Sequence, residues 1–470
     1  MTHATSGTDT DHRLGFQSLT EEVSARPLTV EGTLPDWLSG SLIRVTPAGL
    51  EPTGLPVRHW FDGMAMLNAF FFDAGGVTYA NRYLDTDARR SAEGTPPRMY
   101  GGFATDPCRS IFRRVTTTFS PPPGDNTNVN LVRLGDEYLA MTESQAPVIF
   151  DSRTLETRGH GPSAPGQTTT AHPHADFARN LLLNHAAAMG PRSSYRIFSR
   201  APGEQPRILG EIPVKEPGYM HSFALTERYV VLVEFPLLVN PLDLAVRRRS
   251  FIESFRWLPE RGTRFLVVER ESGRLVREAS TDAFFAFHHV NAFERDGELV
   301  VDLCAYADPT IIDALYLEPL RAGRRVPRST LCRFRVSLDR DQMSREEVSS
   351  EPVELPRIAY GRRNGSPYQF AYGAGFHDSA SLWFDQLVKV DTVDGSHHTW
   401  HEEGCYPGEP VFGSAPGTDA EDAGVLLSVV LDSRQGASFL LVLDAASMTE
   451  VARARAPHVI TFGFHGQYFR

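Results

Sequence analysis

Short runs of β-branched, aromatic and aliphatic residues, broken by Gly, Pro, Asn or Asp, recur along almost the whole chain. Most are about five to seven residues long, which is the usual length of a strand rather than a helix. The clearest cover 41–45, 66–72, 77–84, 180–184, 229–235, 264–269, 299–304 and 425–431. Between them lie turn signals such as Asp73-Ala74-Gly75-Gly76, Asp296-Gly297 and Asp394-Gly395-Ser396, which tolerate the positive φ that hairpins need. The pattern predicts consecutive antiparallel strands.

About twenty-five such strands are too many for one sandwich, and they lack the alternating helices of a doubly wound α/β fold. An all-β propeller fits best. Four-stranded blades imply six or seven blades at roughly 67 residues each, and no WD or kelch signature repeats to choose between them. Two segments, 236–260 and 307–322, have helical spacing and start near proline, and they predict excursions from one propeller face. Their apolar residues either cover the core or meet a membrane or an incoming substrate. Residues 1–14 are expected to be a disordered tail and 15–470 a single domain.

Charge narrows the partners. With 47 basic and 58 acidic side chains the net charge is 47 − 58 = −11, which disfavours nucleic acid, where affinity comes from neutralising phosphates. Apolar residues at 41% and charged residues at 22% suit a globular chain with a large core and exclude disordered or collagen-like classes. The most apolar stretch, 229–239, is interrupted by Glu234 and Pro236 and is shorter than the roughly 18 to 20 residues of a membrane-spanning helix. The first thirteen residues are polar, without the apolar core of a secretory signal, so a cytoplasmic location is expected. Cys108, Cys304, Cys332 and Cys405 are far apart, and reduced thiols are expected rather than a zinc knuckle or a disulfide framework.

Four of the 16 histidines stand where a Gly, aromatic or turn element meets an apolar strand: His172 in TTAHPHAD, His221 in GYMHSFAL, His288 in FAFHHVNAFE and His465 in TFGFHGQYF. They lie 49, 67 and 177 residues apart, so blades of the expected length could bring one ligand each to the axis. Neutral imidazoles suit Fe, Zn, Cu or Ni without choosing among them. Metal-bound imidazoles usually donate their other N–H to a carboxylate, and Glu143, Glu354 and Glu409 lie beside apolar strand starts where an unpaired charge would be costly. Other histidines, among them His160, His185, His397 and His458, sit in unremarkable settings and are assigned no role.

From about Leu28 to its end the chain resembles the carotenoid cleavage oxygenase family. The likeness rests on VEGTLPDWLSGSLIRVTP, RHWFDGMAML, NRYLDT, TAHPH, FHHVNAFE, ELPRI with SPYQFAYG, GEPVF with EDAGVLLSVVLD, and GFHG. DPCRSIFRR, DNTNVN and MTES are similar to the subgroup of animal β-carotene oxygenases and the retinoid isomerase.

The resemblance implies a seven-bladed β-propeller capped by helices and loops on one face, with Fe(2+) held by His172, His221, His288 and His465 and no ligand role for His174 or His289. It further implies that Glu143, Glu354 and Glu409 orient His221, His288 and His465, leaving His172 without a carboxylate. The implied activity is a dioxygenase that uses O2 to split one double bond of an apolar polyene, a carotenoid or apocarotenoid, into two carbonyl products.

This sequence departs from the family at Arg44-Val45-Thr46-Pro47, where relatives read Arg-Asn-Gly-Pro, and at Ser222, where many carry Asp. Thr142 stands where stilbene-cleaving relatives tend to carry Lys, which demotes a stilbene substrate. A retinoid isomerohydrolase on the same iron site and a metal-free propeller scaffold are the competing readings. Peripheral membrane contact through the apolar excursion near Leu237 to Trp257 is also expected, since such substrates partition into lipid.

Overall fold

The fold follows from which strands are buried on both faces. Gly424–Asp432 (GVLLSVVLD) and Tyr229–Glu234 (YVVLVE) are buried almost end to end, whereas Glu450–Arg455 (EVARAR) alternates buried and exposed. A strand sandwiched between two neighbouring sheets needs apolar residues on both faces, while an outer strand needs them on one. Radially stacked sheets satisfy both demands.

The computed structural model describes residues 11–52, 57–94, 102–105, 124–246 and 249–470. Seven antiparallel sheets of four to six strands follow one another in chain order and form the blades of a propeller. Blade 1 is built on Gly40–Gly49, Met64–Asp73 and Gly76–Tyr83, and blade 2 runs from Asn130–Leu134 to Thr157–His160. Blade 3 contains Leu181–Ala188 and Ser193–Arg200, blade 4 Tyr229–Glu234 and Thr263–Glu269, and blade 5 Phe285–Arg295 and Glu298–Tyr306. Blade 6 runs from Glu354–Arg357 to His397–His401, and blade 7 contains Gly424–Asp432 and Ala437–Asp444.

The ring closes twice. Gly466–Phe469 pairs with Gly40–Gly49 in blade 1, and Val30–Gly32 pairs with Glu450–Arg455 at the outer edge of blade 7. The core lies between blades. Ile43, Val45 and Leu67 of blade 1 pack with Leu131, Ala140 and Phe150 of blade 2, and Leu183 and Ile197 of blade 3 pack with Val230 and Leu266 of blade 4. The expected turn at Asp296-Gly297 takes positive φ at both residues (52° and 80°), the conformation of a tight two-residue hairpin.

All eight strands read from the sequence are present within a few residues of the expected bounds. Strands of two or three residues, such as Thr168–Thr169 and Ala224–Leu225, escaped that reading because so short a run carries no periodic signal.

The segment 307–322 is helical, as Thr310–Ala314 and Leu317–Arg321. The segment 236–260 is only partly so, a correction to the expected helix. It holds one α-helix, Pro241–Val246, a 3-10 turn, Ile252–Ser254, and a two-stranded ladder pairing Leu237–Leu238 with Arg256–Trp257. Pro236 breaks the run ahead of the ladder, and Pro241 opens the helix, where its missing N–H costs little.

Of the tail expected to be disordered, residues 1–10 lie outside the described residues, but His12–Phe16 forms a 3-10 turn with both of its end residues buried. Cys108 also lies outside, and Cys304, Cys332 and Cys405 are buried free thiols. Among the described residues no helix is long and apolar enough to cross a membrane.

Candidate metal centre

Every blade, or the turn beside it, delivers one of the seven residues singled out in the sequence. His465 immediately precedes the blade 1 strand Gly466–Phe469, Glu143 follows Glu137–Met141 of blade 2, and His172 sits between Thr168–Thr169 and His174–Asp176 of blade 3. His221 precedes Ala224–Leu225 of blade 4, and His288 lies within Phe285–Arg295 of blade 5. Glu354 opens Glu354–Arg357 of blade 6, and Glu409 lies between Cys405–Pro407 and Val411–Ser414 of blade 7. The pairing register of blade 5 slips between Ala286 and His289 and again between His289 and Asn291. Such bulges re-aim side chains, and here adjacent histidines part company.

The four imidazoles converge, each offering a nitrogen within 4.8 Å of the others. The Nε2 atoms of His172 and His221 are 3.0 Å apart, and those of His288 and His465 are 3.1 Å apart. Each of three rings donates its far N–H to a carboxylate: His221 Nδ1 to Glu143 (2.6 Å), His288 Nδ1 to Glu354 (2.5 Å) and His465 Nδ1 to Glu409 (2.7 Å). Those bonds leave the Nε2 lone pairs facing inward. Among the described residues no carboxylate bonds His172; its backbone N–H donates to Thr170 Oγ1 at 2.9 Å.

Electrostatics favours neutral donors. Burial lowers the pKa values of His172, His221 and His465, the last to about 3, and the neighbouring imidazoles add to the effect. Burial alone would raise Glu409, but Arg357, His465 and Arg44 together hold it below the usual carboxylate range. Burial likewise opposes ionisation of Glu354, and His288, the Leu355 N–H and the Tyr306 hydroxyl overcome it. Four closely spaced neutral imidazole nitrogens are what a borderline divalent cation requires.

The centre opens on an apolar cavity of about 560 Å³ lined by Trp60, Phe61, Phe287, Leu315, Trp383 and Phe464 among others. Phe61 stacks on His221 with ring centroids 6.3 Å apart and meets Phe464 edge-on at 4.9 Å. The motif His59-Trp60-Phe61-Asp62-Gly63 builds this wall. His59 Nε2 donates to the Ile312 carbonyl at 3.0 Å, Trp60 Nε1 donates to the Phe462 carbonyl at 3.1 Å, and buried Asp62 accepts from the N–H groups of Phe103 and Ala104.

His174 and His289 lie outside the cluster. His174 bonds Tyr360, Asn364 and the Phe223 carbonyl, and His289 bonds Ser222. Sequence reasoning missed Arg44, Arg357, Tyr219 and Tyr306, all of which bond the supporting carboxylates. Only Arg44 carried a signal, as the residue kept in the departure Arg44-Val45-Thr46-Pro47.

Residues 16–470 match the family model of the retinal pigment epithelial membrane protein. The chain belongs to that family. Within it, the chain is 34% identical to a "Carotenoid-cleaving dioxygenase, mitochondrial" of Macaca fascicularis, over 95% of this chain and 92% of the relative. It is also 34% identical to a "Carotenoid isomerooxygenase" of Galleria mellonella (97% and 96% covered) and 31% identical to a "Beta,beta-carotene 15,15'-dioxygenase" of Rattus norvegicus (95% and 90%). A cobalt-substituted Synechocystis ACO superposes with a TM-score of 0.86 at 25% identity, covering 99% of both chains.

Proposed function

We propose that this member of the family is a non-haem Fe(2+) dioxygenase that cleaves one double bond of a carotenoid or apocarotenoid into two carbonyl products. The observation that carries the reading is the convergence of four Nε2 donors at the inner end of an apolar, aromatic-walled cavity. The names of the relatives, which specify carotenoid cleavage by a dioxygenase, support the substrate class, and activation of O2 calls for a redox-active ion, which favours iron over zinc among the ions that fit the donor set.

His172, His221, His288 and His465 would hold the ion as neutral ligands, with Glu143, Glu354 and Glu409 fixing three of the rings. Bound there, Fe(2+) would supply the activation of O2 that an alkene cannot achieve alone. The chain supplies the rest. Trp60, Phe61, Phe287 and Phe464 exclude water and present flat faces to a conjugated chain. Position along the cavity then determines which double bond lies beside the histidines. Glu354, an acidic group on the wall, bonds both His288 and the Tyr306 hydroxyl and is thereby held in its supporting role.

Contact with a membrane surface is part of the proposal. Leu242, on the helix Pro241–Val246, is 63% exposed, while Leu237 and Leu238 are buried in the short ladder. A cytoplasmic location, expected from the polar N-terminal sequence, belongs to the proposal as well.

The test is aerobic incubation of metal-loaded protein with carotenoids, apocarotenals, retinyl esters and stilbenes, with 18O2 in a parallel run. Two aldehydes carrying label from O2, and loss of visible absorbance, are expected with one of the first two classes. Label-free retinol or phenolic aldehydes as the sole products would overturn the reading. Leu242→Asp should weaken binding to phosphatidylcholine liposomes without altering cleavage of detergent-dispersed substrate.

A further inference from the structure

A second chamber, of about 340 Å³, lies on the blade 3 side of the centre and is lined by Glu143, Tyr219, His185, Met189, Met220 and Phe251 among others. The reaction proposed above makes no use of it. Its wall contains a buried imidazole with unmet demand. His185 is only 3% exposed, and among the described residues neither of its ring nitrogens has a hydrogen-bond partner. Its place in Leu181–Ala188 is firmly held. The His185 N–H donates to Asn184 Oδ1 at 2.8 Å, Thr169 Oγ1 donates to the His185 carbonyl at 2.7 Å, and the ring meets Phe223 edge-on at 5.4 Å. Burial keeps the imidazole neutral, so it presents one donor and one acceptor.

The carboxylate on the same wall also has spare capacity. Glu143 Oε1 accepts from both Tyr219 and His221, but among the described residues nothing donates to Oε2. Glu354 and Glu409 have both oxygens occupied.

We infer that this chamber binds water, held by His185 and by Oε2 of Glu143, and that His185 is thereby a positioning residue for the His221 arm of the centre. The ligand must both donate and accept. An anion would be repelled by Glu143, and an apolar molecule would leave the imidazole bare. An ordered water needs space for about one water-sized sphere and a few polar partners, and the chamber offers both. Solvent donating to Oε2 fixes the carboxylate and through it the orientation of His221. The inference about His221 rests on the metal reading; occupancy of the chamber does not.

Two measurements on the full chain separate these points. A high-resolution crystal structure of the metal-free protein should show ordered solvent within hydrogen-bond distance of His185 and of Glu143 Oε2, and His185→Leu should lose it. A dry chamber, or solvent touching neither group, overturns the inference whatever metal the protein binds.

On metal-loaded protein, His185→Leu should release the ion to a chelator roughly three- to tenfold faster, less than the 10–100-fold typical of losing a direct partner of a ligand. His185→Gln, which keeps a donor and an acceptor, should restore much of the wild-type rate. Unchanged release in His185→Leu, with its melting temperature preserved, overturns the positioning role. Filled chambers in a protein that binds no divalent ion uphold the water site and count instead against the four-histidine metal reading.

Discussion

Two arms of the centre hold an imidazole by the same bond in opposite surroundings. On one, Glu409 is 1% exposed and takes donors from His465, Arg357, the Gly466 N–H and Arg44, while Arg44 is pinned in turn to the carbonyls of Glu409 and Phe464. On the other, Glu143 is 16% exposed, takes two donors on one oxygen and lines a chamber. The first arm ties imidazole, carboxylate and two cations together across blades 6, 7 and 1. The second is tied to the protein at fewer points. Rigidity at His465 therefore comes from the fold itself, whereas orientation of His221 depends on a small local network that can be altered without disturbing a blade.

That contrast is open to direct attack. The largest effect is expected from Glu409→Ala, which leaves Arg44 buried without its partner; removal of one member of such a pair costs about 3–5 kcal/mol, read as a lowered urea midpoint together with loss of bound metal. Glu143→Ala should leave the midpoint nearly unchanged, and a comparable loss of stability there would erase the distinction between the arms.

Glu143→Gln should weaken divalent-metal affinity roughly 10–100-fold in a competition titration, at nearly constant melting temperature. The smallest change belongs to Tyr219→Phe, which removes one of the two bonds on Oε1. A single hydrogen bond is worth about 0.5–1.5 kcal/mol, so a loss of roughly two- to tenfold in metal affinity is expected, with no change in His465 variants tested in parallel. An effect larger than that of Glu143→Gln would mean that Tyr219 acts by a route other than the carboxylate.

Much of this was legible in the sequence, for identifiable reasons. Strands buried on both faces, such as Gly424–Asp432, read as unbroken apolar runs, and turn residues such as Asp296-Gly297 mark their ends. The histidines and their carboxylates were visible because each sits in a motif of distinctive composition, TAHPH or GFHG for example. Arg357 and Arg44 were not, because an arginine in a strand has no spacing that reveals a partner 52 or 365 residues away. His185 was set aside for the same reason: its sequence neighbours are ordinary, and only the absence of partners in three dimensions distinguishes it. The excursion 236–260 misled because apolar spacing alone cannot separate a helix from a pair of two-residue strands around a turn.

His465 directly precedes Gly466–Phe469, the strand that stitches the last part of the chain onto the first blade. During synthesis, therefore, three imidazoles can be in place while the fourth has yet to emerge. A metal held by all four imidazoles would therefore be captured only after circularisation, and a loaded centre would serve as a built-in report that the ring is shut.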